Sequence, residues 1–511
     1  MKYINFLVVL VIIGIGFIGY RFMTKKNKAS SIVSDLNTEV TQQSLVVEGS
    51  IPEWLNGSFV RNGPVSVQIN DQKIAHWFDG PAMLHGFTFR NGAVSYTNKF
   101  LRSKIYEKIF VEGSFNYAGF ATKSRFSLWE KIANFFTWNA EPSIQNANVN
   151  VGTIANQYVA LTETPLPVRF DIKTLDTLGA LKFQDDLPKK NIFESAHMHY
   201  DMKKQEKINY LIKYGRESKY VFYRYNAEKP YRELIGEVAV DKPAYMHSFA
   251  LTENYIVLVE FPLTVNPIDL MIMAKPYIKN FSWHPEQGTN FLIIDRKTGK
   301  LVNKIKDNDP FFAFHHVNAY EKEGKIVLDI VTYPDADLIV AFGDLNKSYD
   351  EENNHINQDA KRTKLMRYTV SPVTEIIDSR VLLDEPIEYP RINEQYNTQP
   401  YRYVYAIDPR RLMLSDVQTG VLRPMYKIDT TTGNKVLWQE SGVLPGEPVF
   451  IPNPHSDKED EGVVVNIILD VGKQRAFLLI LDGQSFKEIA RVYAPHAIPL
   501  GLHGQFFKLQ K

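Results

Sequence analysis

The chain alternates short apolar runs with turn residues from about residue 46 to its end. The runs YVALTE (158–163), YIVLVE (255–260), KIVLDIV (325–331), GVVVNIILD (462–470) and AFLLILD (476–482) are rich in β-branched and aromatic residues. Each run is bounded by residues that favour turns, as is typical of β-strands. The pattern predicts one all-β domain over residues 46–511.

A second pattern places an aspartate between two such strands. It occurs around Asp171, Asp295, Asp429 and Asp482, each followed by a polar turn and another apolar run. Hairpins of one shape, separated by unequal insertions, favour an irregular β-propeller over a solenoid. Because the same turn chemistry occurs in any β protein, a sandwich or a barrel stays open on this pattern alone.

The N-terminus departs from the strand pattern. Residues 4–20, INFLVVLVIIGIGFIGY, are almost purely apolar, and four basic residues follow by residue 28. The length of this run predicts a transmembrane anchor within residues 1–23, and a cleaved signal peptide is the alternative. The basic flank after the helix predicts a membrane-anchored protein whose large domain lies in the cytoplasm. Residues 24–45 are polar and predict a linker.

Two segments within the domain also break the strand pattern. Residues 110–140 and 261–283 are rich in aromatic and aliphatic side chains, with Lys or Arg close by. One interpretation is a helical or loop cap over the top face of the domain. The other is an exposed patch that contacts a membrane surface, with Trp at the interface and Lys toward the headgroups.

Composition narrows the chemistry further. The 511 residues include 59 Lys and Arg, 58 Asp and Glu, and no cysteine. The balanced charge argues against a nucleic-acid partner, which would require a basic face. The absence of cysteine excludes disulfides, thiolate zinc sites, iron–sulfur clusters and thiol nucleophiles. A bound metal must therefore be held by His, Asp or Glu.

Histidine occurs in four apolar, strand-like motifs that lie far apart in the chain. They are ESAHMHYD (194–201), AYMHSFALTENY (244–255), FAFHHVNAY (312–320) and PLGLHGQFF (499–507). This spacing is unlike the i, i+4 pattern of a helical zinc site, and it fits one ligand from each of several propeller blades. The alternative for each is a core histidine with hydrogen-bonded ring nitrogens. Nitrogen-only ligation suits iron, zinc, copper or nickel.

Three glutamates, Glu163, Glu388 and Glu447, lie in equally apolar segments. A buried glutamate without a partner is costly, so each of them requires an explanation. They are candidates to accept hydrogen bonds from the distal N–H groups of metal-binding histidines. The alternative is a glutamate at the rim of a blade, paired with Arg or facing water.

At these motifs the chain resembles the carotenoid cleavage oxygenases. It is most similar to their animal-type branch, which holds the β-carotene oxygenases and the retinal pigment epithelium retinoid isomerohydrolase. GSFVRNGP (57–64) and HWFDGPAMLHGFTF (76–89) look like the family's N-terminal signatures. The four histidine motifs and the three glutamate segments also look like motifs of that family. The resemblance runs from about residue 45 to the C-terminus.

The resemblance implies a seven-bladed β-propeller with ferrous iron, Fe(2+), on its axis. The implied iron ligands are His197, His247, His315 and His503. His76 and His85 match a family segment outside the ligand set, which implies a structural role for both.

The same resemblance assigns the glutamates to the second coordination sphere. Glu163 would orient His247, Glu388 would orient His315, and Glu447 would orient His503. No glutamate is implied for His197. The chain departs from the branch at YAGFATKSRF (117–126), where vertebrate-type members carry a Pro-Asp-Pro-Cys-Lys-like segment. Functions tied to that segment are therefore in doubt here.

The activity that the resemblance implies is that of a non-haem iron dioxygenase. With dioxygen as co-substrate, it would cleave one conjugated double bond of a carotenoid or apocarotenoid to aldehyde or ketone products such as retinal. Its partner would be a lipophilic polyene in an aromatic-lined tunnel, and no catalytic side chain beyond the metal site is implied. The alternatives are a retinoid isomerohydrolase, a stilbenoid-cleaving dioxygenase and a non-enzymatic propeller that binds ligands. The cleaved bond and the oligomeric state have no signal in the sequence.

Strand geometry limits the choice of ligand in FFAFHHVNAY (311–320). Successive side chains of a strand point to opposite faces, so His315 and His316 cannot both face the axis. The resemblance selects His315. His197 and His199 are two residues apart and would share a face, so only the motif favours His197 there.

Overall fold

In the computed structural model the chain forms seven antiparallel β-sheets, the blades of a propeller. The structure describes the residues 36, 38–65, 68–69, 72–73, 77–114, 119–121, 127, 129, 145–164, 166–272, 275–341, 362–412 and 422–508. Each blade has four to six strands, and the edge strands of neighbouring blades contact each other. The prediction of an all-β, seven-bladed propeller is confirmed.

Blades 1 to 7 follow one another along the chain. The strands of blade 1 are Val40–Leu45, Gly57–Pro64, Ala82–Arg90, Ala93–Phe100 and Gly504–Lys508. Those of blade 2 are Asn150–Ile154, Gln157–Leu161, Val168–Phe170 and Thr177–Ala180. Those of blade 3 are Ile192–Glu194, His199–Asp201, Glu206–Lys213, Ser218–Tyr225 and Arg232–Val240. Those of blade 4 are Ala250–Leu251, Tyr255–Glu260, Thr289–Asp295 and Leu301–Asp307.

The remaining blades continue this order. The strands of blade 5 are His316–Lys322, Lys325–Thr332, Lys364–Val370 and Ile377–Leu383. Those of blade 6 are Glu388–Arg391, Tyr403–Ile407, Met425–Asp429 and Lys435–Trp438. Those of blade 7 are Val47–Gly49, Val443–Pro445, Val449–Pro452, Gly462–Asp470, Arg475–Asp482 and Glu488–Tyr493. Two small ribbons pair Gln68–Ile69 with Gln72–Lys73 and Leu263–Thr264 with Ser282–Trp283.

The ring is closed by strands from both ends of the described chain. Gly504–Lys508 pairs with Gly57–Pro64 at the inner edge of blade 1, and Val47–Gly49 pairs with Glu488–Tyr493 at the outer edge of blade 7. Backbone hydrogen bonds therefore join residues more than 400 positions apart. This closure also brings His503, which directly precedes the last strand, to the axis.

The central strands are buried on both faces because each blade is packed between two neighbours. Every residue of Gly462–Asp470 is buried, and so is every residue of Gly57–Pro64. A strand covered on both faces reads as a continuous apolar run rather than as an alternation. This explains why GVVVNIILD is so clear a signal in the sequence.

The repeated aspartate marks the hairpin between the two outer strands of blades 2, 4 and 6, and the hairpin between Arg475–Asp482 and Glu488–Tyr493 in blade 7. The Oδ1 atom of Asp171 accepts the backbone N–H groups of Lys173 and Thr174 at 2.8 and 2.9 Å, and Asp295 binds Lys297 and Thr298 in the same way. The fifth residue of each turn has positive φ: Leu175, Gly299, Gly433 and Phe486. The aspartate is therefore a turn former and has no part in the chemistry.

The helices named among the described residues are short. The α-helices are Lys104–Tyr106, Pro267–Ile272 and Asp337–Ala341, and Glu107–Val111 continues the first as a π-helix. The 3-10 helices are Trp77–Asp79, Tyr277–Asn280, Pro285–Gln287, Glu394–Tyr396 and Pro409–Leu412. Residues 261–283 form two short helices and a two-stranded ribbon rather than one long helix. Most of residues 115–144 lie outside the described part of the chain.

The prediction of an N-terminal transmembrane helix is contradicted. No helix among the described residues is long and apolar enough to cross a bilayer. Residues 1–23, on which the predicted anchor falls, lie outside the described residues. The predicted membrane-anchored location, with the large domain in the cytoplasm, loses its basis with the helix. Residues 24–45, for which a linker was predicted, include the first strand, Val40–Leu45.

Candidate metal centre

Four histidines from four blades meet where the inner strands approach the axis. His197 and His247 lie in the loops just before His199–Asp201 and Ala250–Leu251. His315 and His503 directly precede His316–Lys322 and Gly504–Lys508. The ligand-type nitrogens of the four lie within 4.8 Å of one another. All four therefore lie at the entrances of strands, which the sequence did not predict.

The imidazole rings face each other through their Nε2 atoms. The Nε2 atoms of His197 and His247 are 2.9 Å apart, and those of His315 and His503 are 3.3 Å apart. Two ligands at right angles, each about 2.1 Å from one ion, would be about 3.0 Å apart. The separations are those of neighbouring ligands around a single metal ion.

A carboxylate binds the opposite nitrogen of three of the rings. The Nδ1 atom lies 2.5 Å from Glu163 Oε1 in His247 and 2.6 Å from Glu388 Oε2 in His315. In His503 it lies 2.8 Å from Glu447 Oε1. The three pairings are those that the resemblance implied. Among the described residues no carboxylate contact is seen for His197.

This arrangement fixes the tautomers. Because a carboxylate accepts, the Nδ1 atoms of His315 and His503 carry the protons and both Nε2 atoms present lone pairs. Two lone pairs 3.3 Å apart repel each other unless a cation lies between them. The four residues thus fit a metal ion, and four nitrogen donors suit iron, zinc, copper or nickel.

Burial favours the neutral form of His197 and His503, the form that a metal ligand must have. Burial, together with the neighbouring His503 and His247, lowers the pKa of His197 well below its usual value. Burial also lowers the pKa of His503 to about 4, although Glu447 acts in the opposite direction. Burial alone would raise the pKa of Glu447, but the charge of Arg391 and the hydrogen bond from His503 outweigh it and hold that pKa well below its usual range.

The histidines that neighbour the ligand positions have other partners. The ring of His316 bonds through Nδ1 to Ser248 Oγ at 2.8 Å, and burial lowers its pKa to about 3. His199 lies between Phe249 O and Asn397 Oδ1, at 2.9 and 3.1 Å. Neither joins the cluster, and the geometry separates His197 from His199 where strand alternation could not.

Outside the cluster, His85 fits the structural role that was predicted for it. It is buried in blade 1 and its Nδ1 atom lies 2.7 Å from the hydroxyl of Tyr96. His76 lies outside the described residues.

The two sides of the cluster differ in polarity. The ring of Phe78 is parallel to that of His247 at 6.5 Å, and Phe314 meets His247 edge-on at 5.6 Å. A cavity against His315 and His503 is instead walled by polar side chains, including Arg391. The site therefore has aromatic side chains on one side and a cavity lined largely by polar side chains on the other.

Several partners of the glutamates were not predicted from the sequence. The hydroxyl of Tyr245 donates to Glu163 at 2.8 Å, and that of Tyr333 donates to Glu388 at 2.9 Å. Arg391 Nη1 donates to Glu447 at 3.2 Å. A signal existed for one of them, since Tyr245 lies two residues before His247.

Replacement of Glu388 by glutamine is expected to weaken metal binding by about 10- to 100-fold, because the amide is a poorer acceptor for the N–H group of His315. Competition with a ferrous chelator of known affinity measures the change. Glu375→Gln, at an exposed turn of blade 5, is the matched control and should bind as the unaltered protein does. Equal affinity of both variants would contradict an orienting role for Glu388.

The chain is similar to known proteins in sequence and in structure. The family model described as retinal pigment epithelial membrane protein matches residues 33–508. The β,β-carotene 15,15′-dioxygenase of Mus musculus is 32% identical, over 90% of this chain and 88% of the relative. The carotenoid isomerooxygenase of Galleria mellonella is 31% identical, over 90% of this chain and 92% of the relative.

Solved structures share the fold. A variant of the Synechocystis apocarotenoid oxygenase superposes with a TM-score of 0.80, covering 94% of this chain and 99% of that structure at 24% sequence identity. A cobalt-substituted form of the same enzyme superposes with a TM-score of 0.79.

Proposed function

This chain belongs to the carotenoid cleavage oxygenase family, and we propose that it is an iron(II)-dependent dioxygenase that cleaves a conjugated double bond of a carotenoid or apocarotenoid. The observation that carries the proposal is the cluster of His197, His247, His315 and His503, three of them bonded to carboxylates. Products would be aldehydes or ketones, with retinal as one example.

The ligand residues would hold ferrous iron, and iron when bound supplies the redox chemistry that lets dioxygen react with a double bond. Glu163, Glu388 and Glu447 keep the protons on the Nδ1 atoms and so hold each lone pair toward the axis. His247, His315 and His503 are buried, which limits the access of bulk water to their nitrogens. No other side chain is required to donate or accept a proton.

The aromatic side of the cluster supports a long apolar substrate. Phe78 and Phe314 flank His247, and behind them Phe120 contacts Tyr245 at a ring distance of 5.9 Å. The carboxylate of Asp79 accepts the backbone N–H of Phe120 at 2.6 Å and so fixes this wall. Aromatic surface buries a polyene and excludes water from the double bond. The position of the chain along this wall would select the bond.

A membrane surface is a reasonable source of such a substrate. Val111 and Ile268 are 75% and 55% exposed, and they belong to the two segments whose composition suggested membrane contact. Exposed apolar residues of this kind favour reversible binding to a bilayer. This partner stays a prediction, separate from the N-terminal helix.

Product identification from a small substrate panel tests the proposal. The iron-loaded protein is incubated with β-carotene, an apocarotenal, a retinyl ester and a stilbene, and the products are identified by mass spectrometry. We expect aldehydes from β-carotene or the apocarotenal, and loss of product after chelation. Conversion of the retinyl ester alone would favour the isomerohydrolase, and cleavage of the stilbene alone would favour the stilbenoid oxygenase. Activity that persists without metal would contradict the metal centre.

A further inference from the structure

The three carboxylates that hold the ligand histidines are not equivalent. Glu163 and Glu388 each accept a hydrogen bond from a neutral phenol, at 2.8 and 2.9 Å. Glu447 instead accepts Arg391 Nη1 at 3.2 Å and lies 4.0 Å from Arg61. Only this carboxylate of the three therefore shares its charge with guanidinium groups, as far as the described residues show.

The distances between the histidine Nδ1 atoms and the carboxylates differ in the same way as the partners of the carboxylates. The carboxylate–imidazole contacts are 2.5 and 2.6 Å where the carboxylate faces a phenol, and 2.8 Å where it faces Arg391. A carboxylate whose charge is partly neutralised is a weaker acceptor. Glu447 therefore polarises the Nδ1–H bond of His503 less. The Nε2 atom of that ring is then less electron-rich and is a weaker donor to a metal ion.

The side chain of Arg391 is held in place by burial and by several hydrogen bonds. Its side chain is about nine-tenths buried, at 10% exposure. Besides Glu447, it donates to the carbonyl of Gly504 at 3.1 Å and to Gln505 Oε1 at 3.0 Å. Both acceptors follow His503 directly on the closing strand. Glu394, at 3.2 Å, is exposed, so water screens its opposing charge.

We propose that Arg391 is a positioning residue which, by sharing the charge of Glu447, makes His503 the weakest donor of the three carboxylate-bound histidines and keeps the bound iron ferrous. The inference rests on the proposed iron centre. Removal of the positive charge leaves the site one unit more negative, and a more negative site favours the trivalent over the divalent ion.

The test is a potentiometric titration of the iron-loaded protein, with one electron per iron exchanged with mediator dyes. Arg391→Gln is expected to raise the ratio of ferric to ferrous iron about tenfold at a given potential, because a positive charge near the metal is lost. Arg391→Lys keeps the charge but loses the planar fork, and it should stay within about threefold of the unaltered protein. Arg402→Gln, on an exposed arginine of blade 6, is the control and should have no effect.

The possible outcomes distinguish the role of Arg391 from the proposed iron centre on which it depends. An unaltered protein that holds no iron overturns both. An unaltered protein that holds iron, with the same potential in Arg391→Gln, overturns only the role of Arg391. Equal shifts in the Gln and Lys variants also overturn it, because they would show that Arg391 only ties Gly504 and Gln505 in place. If Arg391→Gln does not fold, Arg391→Met is the second uncharged variant.

Discussion

Replacement of His315 by alanine is expected to abolish iron binding, while replacement of the adjacent His316 leaves it largely intact. His315 points its Nε2 atom to the cluster, 3.3 Å from that of His503, and binds Glu388 on the other side. Its loss removes one of four ligands and leaves a buried carboxylate without its partner. Iron per chain, measured by elemental analysis after ferrous reconstitution and desalting, should fall from about one to near zero.

His316 is a strict control for this experiment because it has the same chemistry, one residue away. Its ring bonds to Ser248 and not to the cluster. His316→Ala should cost about 1 kcal/mol of stability through that lost hydrogen bond, with iron content unchanged. Iron loss in His316→Ala with retention in His315→Ala would reverse the assignment.

Replacement of Arg232 by methionine is expected to destabilise the protein by about 3–5 kcal/mol, the cost of breaking a buried ion pair. The side chain of Arg232 is fully buried, and it donates to both carboxylate oxygens of Asp185, at 2.9 and 3.1 Å. Glu194 lies 3.9 Å away, also buried. Methionine leaves both carboxylates without a cation. Urea unfolding followed by circular dichroism measures the loss.

Arg380→Met is the matched control, because Arg380 is exposed on the outer strand of blade 5. It should change the free energy of unfolding by no more than about 0.5 kcal/mol. Similar midpoints for Arg232→Met and Arg380→Met would show that the buried pair contributes little. Glu194 directly precedes the loop that carries His197. The contact between Arg232 and Glu194 therefore also helps to hold that loop in place.

Local signals explain how much of the fold was predictable. Gly462–Asp470 was recognised because it is buried on both faces and, apart from Asn466 and Asp470, apolar. The aspartate hairpins were recognised because the turn chemistry is local, as at Asp171. Ring closure was not recognised from the residues themselves, because Val47–Gly49 and Gly504–Lys508 each pair with strands at the far end of the chain. The residues of neither short strand indicate which strand it pairs with.

The candidate site shows the same limit. Strand alternation allowed only one of His315 and His316 to face the axis, and only His315 joins the cluster, although it lies just before the strand rather than within it. It could not separate His197 from His199, and only the loop conformation does so. Arg391 was not recognised, because nothing in its surroundings indicates that Glu447, 56 residues later, lies beside it. The strands could therefore be predicted from local sequence patterns, whereas the contacts around the metal ligands depend on residues far apart in the chain.

The most direct test of the central claim is the fate of labelled dioxygen. The iron-loaded protein cleaves its carotenoid under isotopically labelled dioxygen in ordinary water, and the aldehydes are reduced at once to alcohols so that their oxygen cannot exchange. A dioxygenase built on the four histidines should place one labelled atom in each of the two products. Products without label, or ester cleavage with no uptake of dioxygen, would contradict the account.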